Sequence, residues 1–149
     1  TSGDGINPIS RNIRGILHVN GGGNLIIGDR VGISSACIWV KESITIGCNV
    51  NIGADCIIID TDAHPHDYMK RRRGYPQEVG VEAYQKEIPS APVVIGDDVW
   101  IGSRCQILKG VHIGTRSIIA AGSIVTKDIP ADCIAGGNPA RVIKSVSEL

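Results

Sequence analysis

Apolar residues recur every six positions along most of the chain. Ile27, Ile33, Ile46, Ile52 and Ile58 form one series, and Gly28, Gly47 and Gly53 directly follow three of them. Ile95, Ile101, Ile107, Ile113, Ile119, Val125 and Ala131 form a second, with Gly96, Gly102 and Gly114 at the next position. Another column runs four residues after these: Val31, Cys37, Val50, Cys56, Val99, Cys105, Val111, Ser117 and Ser123. Neither the helical period nor plain strand alternation produces this spacing. A six-residue repeat predicts a parallel β-helix, with three hexapeptides per triangular coil. The aliphatic column stacks inside. Small residues serve the corners, where a side chain would crowd or φ would be positive. Each coil buries its apolar face only against its neighbours, at the ordinary strand spacing of about 4.8 Å.

The interruptions of the pattern are informative too. Ile33 and Ile46 are thirteen residues apart, one more than two repeats, which predicts a bulge or bent corner near Trp39 to Glu42. Residues 1–23, with Asn7-Pro8 and a Gly21-Gly22-Gly23 run, read as a lead-in and a weak first coil. Residues 65–92 carry no period and contain Pro65, Pro76, Pro89 and Pro92, so they read as one long projecting loop. After Ala131 the period fades through Gly136 to Arg141, and 142–149 reads as a short cap. Residues 1–149 are taken as a single all-β domain.

Composition agrees. Phe is absent and Gly is 19 of 149, against a usual share of about 7%, while Ile and Val dominate the apolar residues. Fifteen basic residues balance fifteen acidic ones, so no global field favours nucleic acid or an anionic membrane. No apolar run approaches the roughly 20 residues of a membrane span, and no secretory signal opens the printed sequence. Five cysteines without CxxC spacing argue for reduced thiols and a cytoplasmic protein. Three of them fall in the small-residue column and read as buried fillers.

The chemistry concentrates where the first series ends. In Ile57 to Asp67, an apolar run gives way to Asp60 and Asp62, and then His64 meets Pro65. A histidine where regular structure breaks into a loop is suited to chemistry, although a lone histidine is more often structural. Asp60 and Asp62 are candidates to orient its ring, with a turn-capping or corner-stacking role equally open. His66 is the second candidate base; His18 and His112 read as solvent-facing. Arg71, Arg72 and Arg73 read as a solvated loop face, with an anion-contacting arm as the sharper alternative. Trp39 reads as packing at the bulge.

Five segments carry a resemblance: DTDAHPHD (Asp60 to Asp67), VVIGDDVWIGS (Val93 to Ser103), GVHIG (Gly110 to Gly114), AAGSIVTKDIP (Ala120 to Pro130) and AGGNPARVIK (Ala135 to Lys144). With them the chain resembles the hexapeptide-repeat acyltransferases, in particular galactoside, maltose and polysaccharide O-acetyltransferases. The resemblance implies a left-handed parallel β-helix and a homotrimer with an active site in each cleft between subunits. It implies acetyl-CoA as co-substrate, no metal, and a sugar or polysaccharide precursor as acceptor. Carried over position by position, His64 matches the catalytic histidine, Trp100 a cleft-lining residue and Ser103 a residue at the thioester. Ala121, Thr126 and Lys127 match the pantetheine and phosphate path, and Arg141 and Lys144 match basic positions near the CoA phosphates. The DTD before His64 and the long loop after it look more like enzymes that acetylate cell-surface polysaccharides than like the sugar acetyltransferases.

The implied chemistry is simple. An imidazole, with an ordinary pKa of about 6.5, takes the proton of a hydroxyl as that hydroxyl attacks the thioester carbonyl. Backbone N–H groups stabilise the oxyanion. Three other functions compete. N-acetyl transfer to an amino sugar is one. A γ-type carbonic anhydrase is another, which needs three zinc histidines on facing coils; the His-x-x-x-x-His pair that family carries is absent. A non-catalytic β-helix scaffold is the third.

Overall fold

The computed structural model describes residues 14–73 and 80–149. The Asn7-Pro8 lead-in and Pro76 lie outside them. The chain winds into a parallel β-helix. The first coil holds β1 (Ile16–Val19), β2 (Asn24–Ile27) and β3 (Gly32–Ile33), and the second β4 (Cys37–Val40), β5 (Ser43–Ile46) and β6 (Asn51–Ile52). The third holds β7 (Ile57–Ile59), β8 (Val93–Ile95) and β9 (Trp100–Ile101), with the helices α1 (Tyr68–Arg73) and α2 (Val81–Lys86) between β7 and β8. The fourth holds β10 (Gln106–Ile107), β11 (His112–Ile113) and β12 (Ile118–Ile119). The last has β13 (Ile124–Val125) and β14 (Cys133–Gly137), and β15 (Ala140–Ser145) follows it. Three faces result: β1-β4-β7-β10-β13, β2-β5-β8-β11 and β3-β6-β9-β12-β14-β15. Among the described residues every pairing between named strands is parallel except β14 with β15, which turns back and closes the stack. The projecting loop is thus not structureless.

The six-residue columns are the core. Ile38, Ile58, Ile107 and Val125 stack through one face, Ile46, Ile95 and Ile113 through the second, and Ile52, Ile101, Ile119 and Ala135 through the third. All are buried. Truncating one of these isoleucines to Ala would cost about 2–5 kcal/mol, because stacked neighbours cannot collapse into the gap.

Several details differ from the sequence pattern. Ala131 is exposed, and Ile129 takes its place in the column by pairing with Ile113. Cys37 lies in a strand opposite Ile57, and Ala36 fills the buried column position instead. The first coil starts at β1, well before Ile27, its period hidden by a four-residue corner between Val19 and Asn24. The glycines after the isoleucines do not adopt positive φ. They are required by contact: a Cβ added at Gly114 would lie 2.3 Å from the Ala131 amide nitrogen in the next coil.

The left-handed backbone positions at one corner belong instead to Arg30, Asn49, Asp98, Arg116 and Asp132, with φ between 56° and 60°. Their side chains form a ladder that offsets this strain. Arg30 Nε donates to Asn49 Oδ1 at 2.6 Å, and Asn49 Nδ2 to Asp98 Oδ1 at 3.0 Å. Arg116 grips Asp132 through two bonds of 2.6 and 2.8 Å, and this hydrogen-bonded pairing holds the Asp132 carboxyl below its usual range.

The corner between the first and second faces tapers. Measured between columns, Leu17 to Ile27 spans ten residues, Ile38 to Ile46 eight, Ile107 to Ile113 six and Val125 to Ile129 four. The extra residue counted near Trp39 to Glu42 is therefore a net figure. Two residues are added at that corner and one is lost at Ser34 to Ala36, where Ile33 to Ile38 is one shorter than Ile52 to Ile58. In the last coil Asp128 makes up for the missing length: its Oδ1 accepts from the His112 amide at 2.7 Å. The projecting loop leaves the helix at this same corner, at Asp60.

Candidate active site

The loop is drawn in at its base by a short antiparallel neck. Thr61 bridges Ser90, the Asp62 amide donates to Pro89 O at 3.0 Å, and the Ala91 amide donates to Asp60 O at 3.0 Å. Below the neck lies the widened corner of the second coil. Asp60, fully buried, accepts from the amides of Lys41, Glu42 and Ser43, each at 2.7 Å. The widened corner thus turns three amides toward one carboxylate. Lys41 reaches the other way, its ammonium donating to the carbonyls of Gln85 at 2.7 Å and Ile88 at 2.5 Å at the end of α2. Burial lowers the Lys41 pKa, against the opposing pull of Asp60 and Glu42. Lys70 of α1 pairs with Glu87 at 3.1 Å and ties the two loop helices together.

His64 emerges from the neck directly after Ala63, which holds a positive φ of 62°. A non-glycine residue in that region is strained and re-aims the chain that follows. The His64 side chain is exposed, and its Nδ1 lies 3.3 Å from the Tyr84 hydroxyl on α2. Tyr84 itself is only 3% exposed. Neither candidate carboxylate serves His64. Asp60 is committed to its corner, the alternative left open from the sequence. Asp62 Oδ2 contacts His66 Nε2 at 2.5 Å and Lys109 Nζ at 3.2 Å. Arg71 is structural, its guanidinium donating to the carbonyls of Pro65 and His66. Arg72 lies over the Tyr68 ring, 5.7 Å from its centroid.

The remaining predicted residues fall into two groups. Thr126 and Lys127 are exposed on the corner that follows β13, the same corner of the prism as His64. Trp100, Ser103, Ala121, Arg141 and Lys144 belong to the third face and the corner leaving it. Trp100, 56% exposed, begins a row across that face through Ile118 and Ile134 to Lys144, and Arg141 pairs with Gly136. Ser103 and Ala121 stack at the corner, where the Gly122 amide donates to Ser103 O at 2.9 Å. Gly53 and Gly102 make this stack possible: an added Cβ would lie 2.5 Å from the Ser103 nitrogen and 2.6 Å from that of Ala121. The two groups therefore occupy opposite edges of the first face.

Tyr84, Lys41 and Lys109 were not singled out by the sequence. One signal was available for Tyr84. In a chain without Phe and with only three Tyr and two Trp, an aromatic inside a polar loop is unusual. Among the described residues no group of three His, Cys, Asp or Glu side chains is placed to hold a metal ion.

The family model for the bacterial transferase hexapeptide (six repeats) matches residues 92–127. The chain carries the hexapeptide repeat of that transferase family. Within that family it is 41% identical over 106 residues to the galactoside O-acetyltransferase of Escherichia coli K12, covering 71% of this chain and 46% of that one. Among solved structures it is similar to a hexapeptide-repeat-containing acetyltransferase from Vibrio cholerae complexed with acetyl coenzyme A, at 38% identity and a TM-score of 0.68. That likeness covers 81% of this chain and 60% of the other. It is also similar to the polySia-specific acetyltransferase NeuO, at 33% identity and a TM-score of 0.65, covering 81% of this chain and 51% of that one. The chain thus spans about half the length of these relatives. Among the described residues no helix is long and apolar enough to cross a membrane.

Proposed function

We propose that this hexapeptide-repeat protein transfers an acetyl group from acetyl-CoA to a hydroxyl of a sugar or polysaccharide precursor, with His64 as general base, in the cytoplasm. One observation carries the reading. An exposed imidazole is held by one ring nitrogen at the neck of the loop, on the corner that also bears Thr126 and Lys127. The names of the similar proteins, a galactoside O-acetyltransferase and a polySia-specific acetyltransferase, support a saccharide acceptor. In the proposed step the acceptor hydroxyl gives its proton to His64 Nε2 as its oxygen attacks the thioester carbonyl. The tetrahedral intermediate collapses, the C–S bond breaks, and the CoA thiolate takes the proton back from Nε2. No covalent enzyme intermediate is needed. Coil-corner N–H groups near Ser103 and Ala121 are the donors available to the oxyanion.

The two-corner arrangement supports a homotrimer. Trp100, Ser103, Ala121, Arg141 and Lys144 lie across a whole face from His64 within one chain. Packing three prisms side by side brings one subunit's His64 corner against a neighbour's Trp100 corner, so the site is completed between subunits.

The decisive experiment measures CoA release from acetyl-CoA with a panel of sugar and nucleotide-sugar acceptors, an amino sugar among them. His64→Ala should lower turnover by roughly two to four orders of magnitude with the assembly intact by sedimentation. Near-normal turnover would remove His64 as the base. A second reading has its own observation, the close contact of His66 with Asp62. A carboxylate behind an imidazole is a common catalytic pairing, but here Lys109 shares that carboxylate. A larger loss in His66→Ala than in His64→Ala would favour it.

A further inference from the structure

We propose that Tyr84 is the positioning residue for His64. It fixes the tautomer and aim of the imidazole from the inserted helix α2, in place of a carboxylate. The inference rests on the general-base reading of His64.

The geometry supplies the argument. A neutral imidazole has one N–H and one lone pair, and only the nitrogen with the lone pair can take a proton from the acceptor hydroxyl. The Nδ1 atom of His64 faces the Tyr84 oxygen at 3.3 Å, which leaves Nε2 as the catalytic atom. Nε2 carries a lone pair only if Nδ1 carries the hydrogen. A hydroxyl oxygen has two lone pairs and accepts that hydrogen while its own proton turns to another acceptor. The separation is at the long end for a hydrogen bond, as is common at catalytic sites before substrate closes on them.

The nearby carboxylates cannot do this work, because Asp60 is filled by three amides and Asp62 by His66 and Lys109. The hydroxyl is also held in place. Tyr84 is 3% exposed, and its helix is fixed at one end by Lys41 through the Gln85 and Ile88 carbonyls. A buried, clamped phenol beside an exposed, strained histidine loop is an arrangement in which one group sets the other. The loop insertion therefore has a catalytic consequence: it brings the partner of the base.

The test is Tyr84→Phe, which keeps the ring and removes only the oxygen. Turnover should fall by roughly five- to fiftyfold, the effect of one such hydrogen bond, with an unchanged Michaelis constant for acetyl-CoA. Nitrogen-15 NMR of imidazole-labelled protein gives a readout that a purely structural role would not move. Wild-type His64 should be the Nδ1–H tautomer, and Tyr84→Phe should shift it toward Nε2–H, the form free imidazole side chains prefer in water. Unchanged turnover and an unchanged tautomer in Tyr84→Phe, with His64→Ala still inactive, would overturn the role of Tyr84 and leave the base standing. An active His64→Ala would overturn the base itself. If Tyr84→Phe lowers thermal stability, the tautomer at a temperature well below melting still decides.

Discussion

Asp60→Asn separates two roles that a carboxylate near the proposed base can play. The buried Asp60 side chain accepts three backbone N–H groups, from Lys41, Glu42 and Ser43, all at 2.7 Å. Asparagine keeps one acceptor oxygen and turns an NH₂ toward amides that are donors themselves. In the better of its two orientations the Glu42 and Ser43 amides keep an oxygen that has lost its charge, each bond weaker by about 1 kcal/mol, and the Lys41 amide loses its acceptor and faces the NH₂. A buried donor without a partner costs about 1–3 kcal/mol, and bonds to a charged acceptor are at the strong end of that range. Solvent reaches the corner at the exposed Glu42, so water relieves part of the loss. We therefore expect a destabilisation of about 3–5 kcal/mol. For a chain of 149 residues, with roughly 2–4 °C per kcal/mol, that is a melting temperature lower by on the order of 10 °C. The assays are differential scanning calorimetry and turnover measured well below the new melting point. Loss of the corner should leave the remaining folded protein with turnover within a few-fold of normal. A variant with normal melting and turnover reduced a hundredfold would refute this reasoning and return Asp60 to the role of orienting His64.

Two further predictions concern the same coils. Lys41→Met keeps the apolar stem but removes the ammonium that holds the Gln85 and Ile88 carbonyls. Hydrogen exchange of the α2 amides should quicken and turnover should fall several-fold, with acetyl-CoA binding unchanged. Burial sets the Lys41 pKa below its unfolded value of 10.5, so folding releases protons between the two values. In that window the stability of wild type relative to Lys41→Met should rise with pH, and a fall would contradict the assignment. Cys56 and Cys105 are buried in the inner column, and the Cys56 thiol is pushed up by its hydrogen bond with Cys105 and by burial. Both should resist a disulfide reagent in the folded protein and react only on unfolding, as measured by mass spectrometry of labelled peptides.

Most of the fold was legible because a β-helix repeats one local decision. The aliphatic columns of the third and fourth coils follow a strict period of six, and Ile95, Ile101, Ile107, Ile113 and Ile119 are all buried. Legibility failed where one corner changed length. The period reports only the sum of residues per coil, so a gain of two after Ile38 and a loss of one before it read as a single bulge. The same limit misplaced Cys37, which was counted from Ile33 across the shortened corner. Ala131 kept the spacing but lost its column to Ile129, because the Asp128 side chain bridges the last, shortest corner. The glycine positions were read correctly as corner positions, with one cause misattributed. Their need comes from the next coil's backbone, while polar ladder residues carry the left-handed φ.

The places of the candidate site residues in the fold were legible, and their partners were not. Motif spacing placed His64 where the loop begins, and the structure puts it there beside Ala63 with its positive φ. What sequence order could not give was partnership. Asp62 is two residues from His64, a spacing that would put both on one side of extended backbone, but Ala63 between them holds a positive φ and turns the chain, and Asp62 meets His66 and Lys109 instead. The group that reaches the imidazole ring is twenty residues away, on a helix that the loop's lack of period had concealed. Asp60 shows the same thing from the other side, since its partners lie a full coil earlier, at Lys41 to Ser43. These long-range links share one cause, the taper of the corner between the first and second faces. Its wide early coils present Lys41 and the three amides as a platform under the loop. Its narrow late coils draw back along the same corner to Thr126 and Lys127. The loop therefore emerges at a step in the prism, where His64 is supported from one side and open on the other.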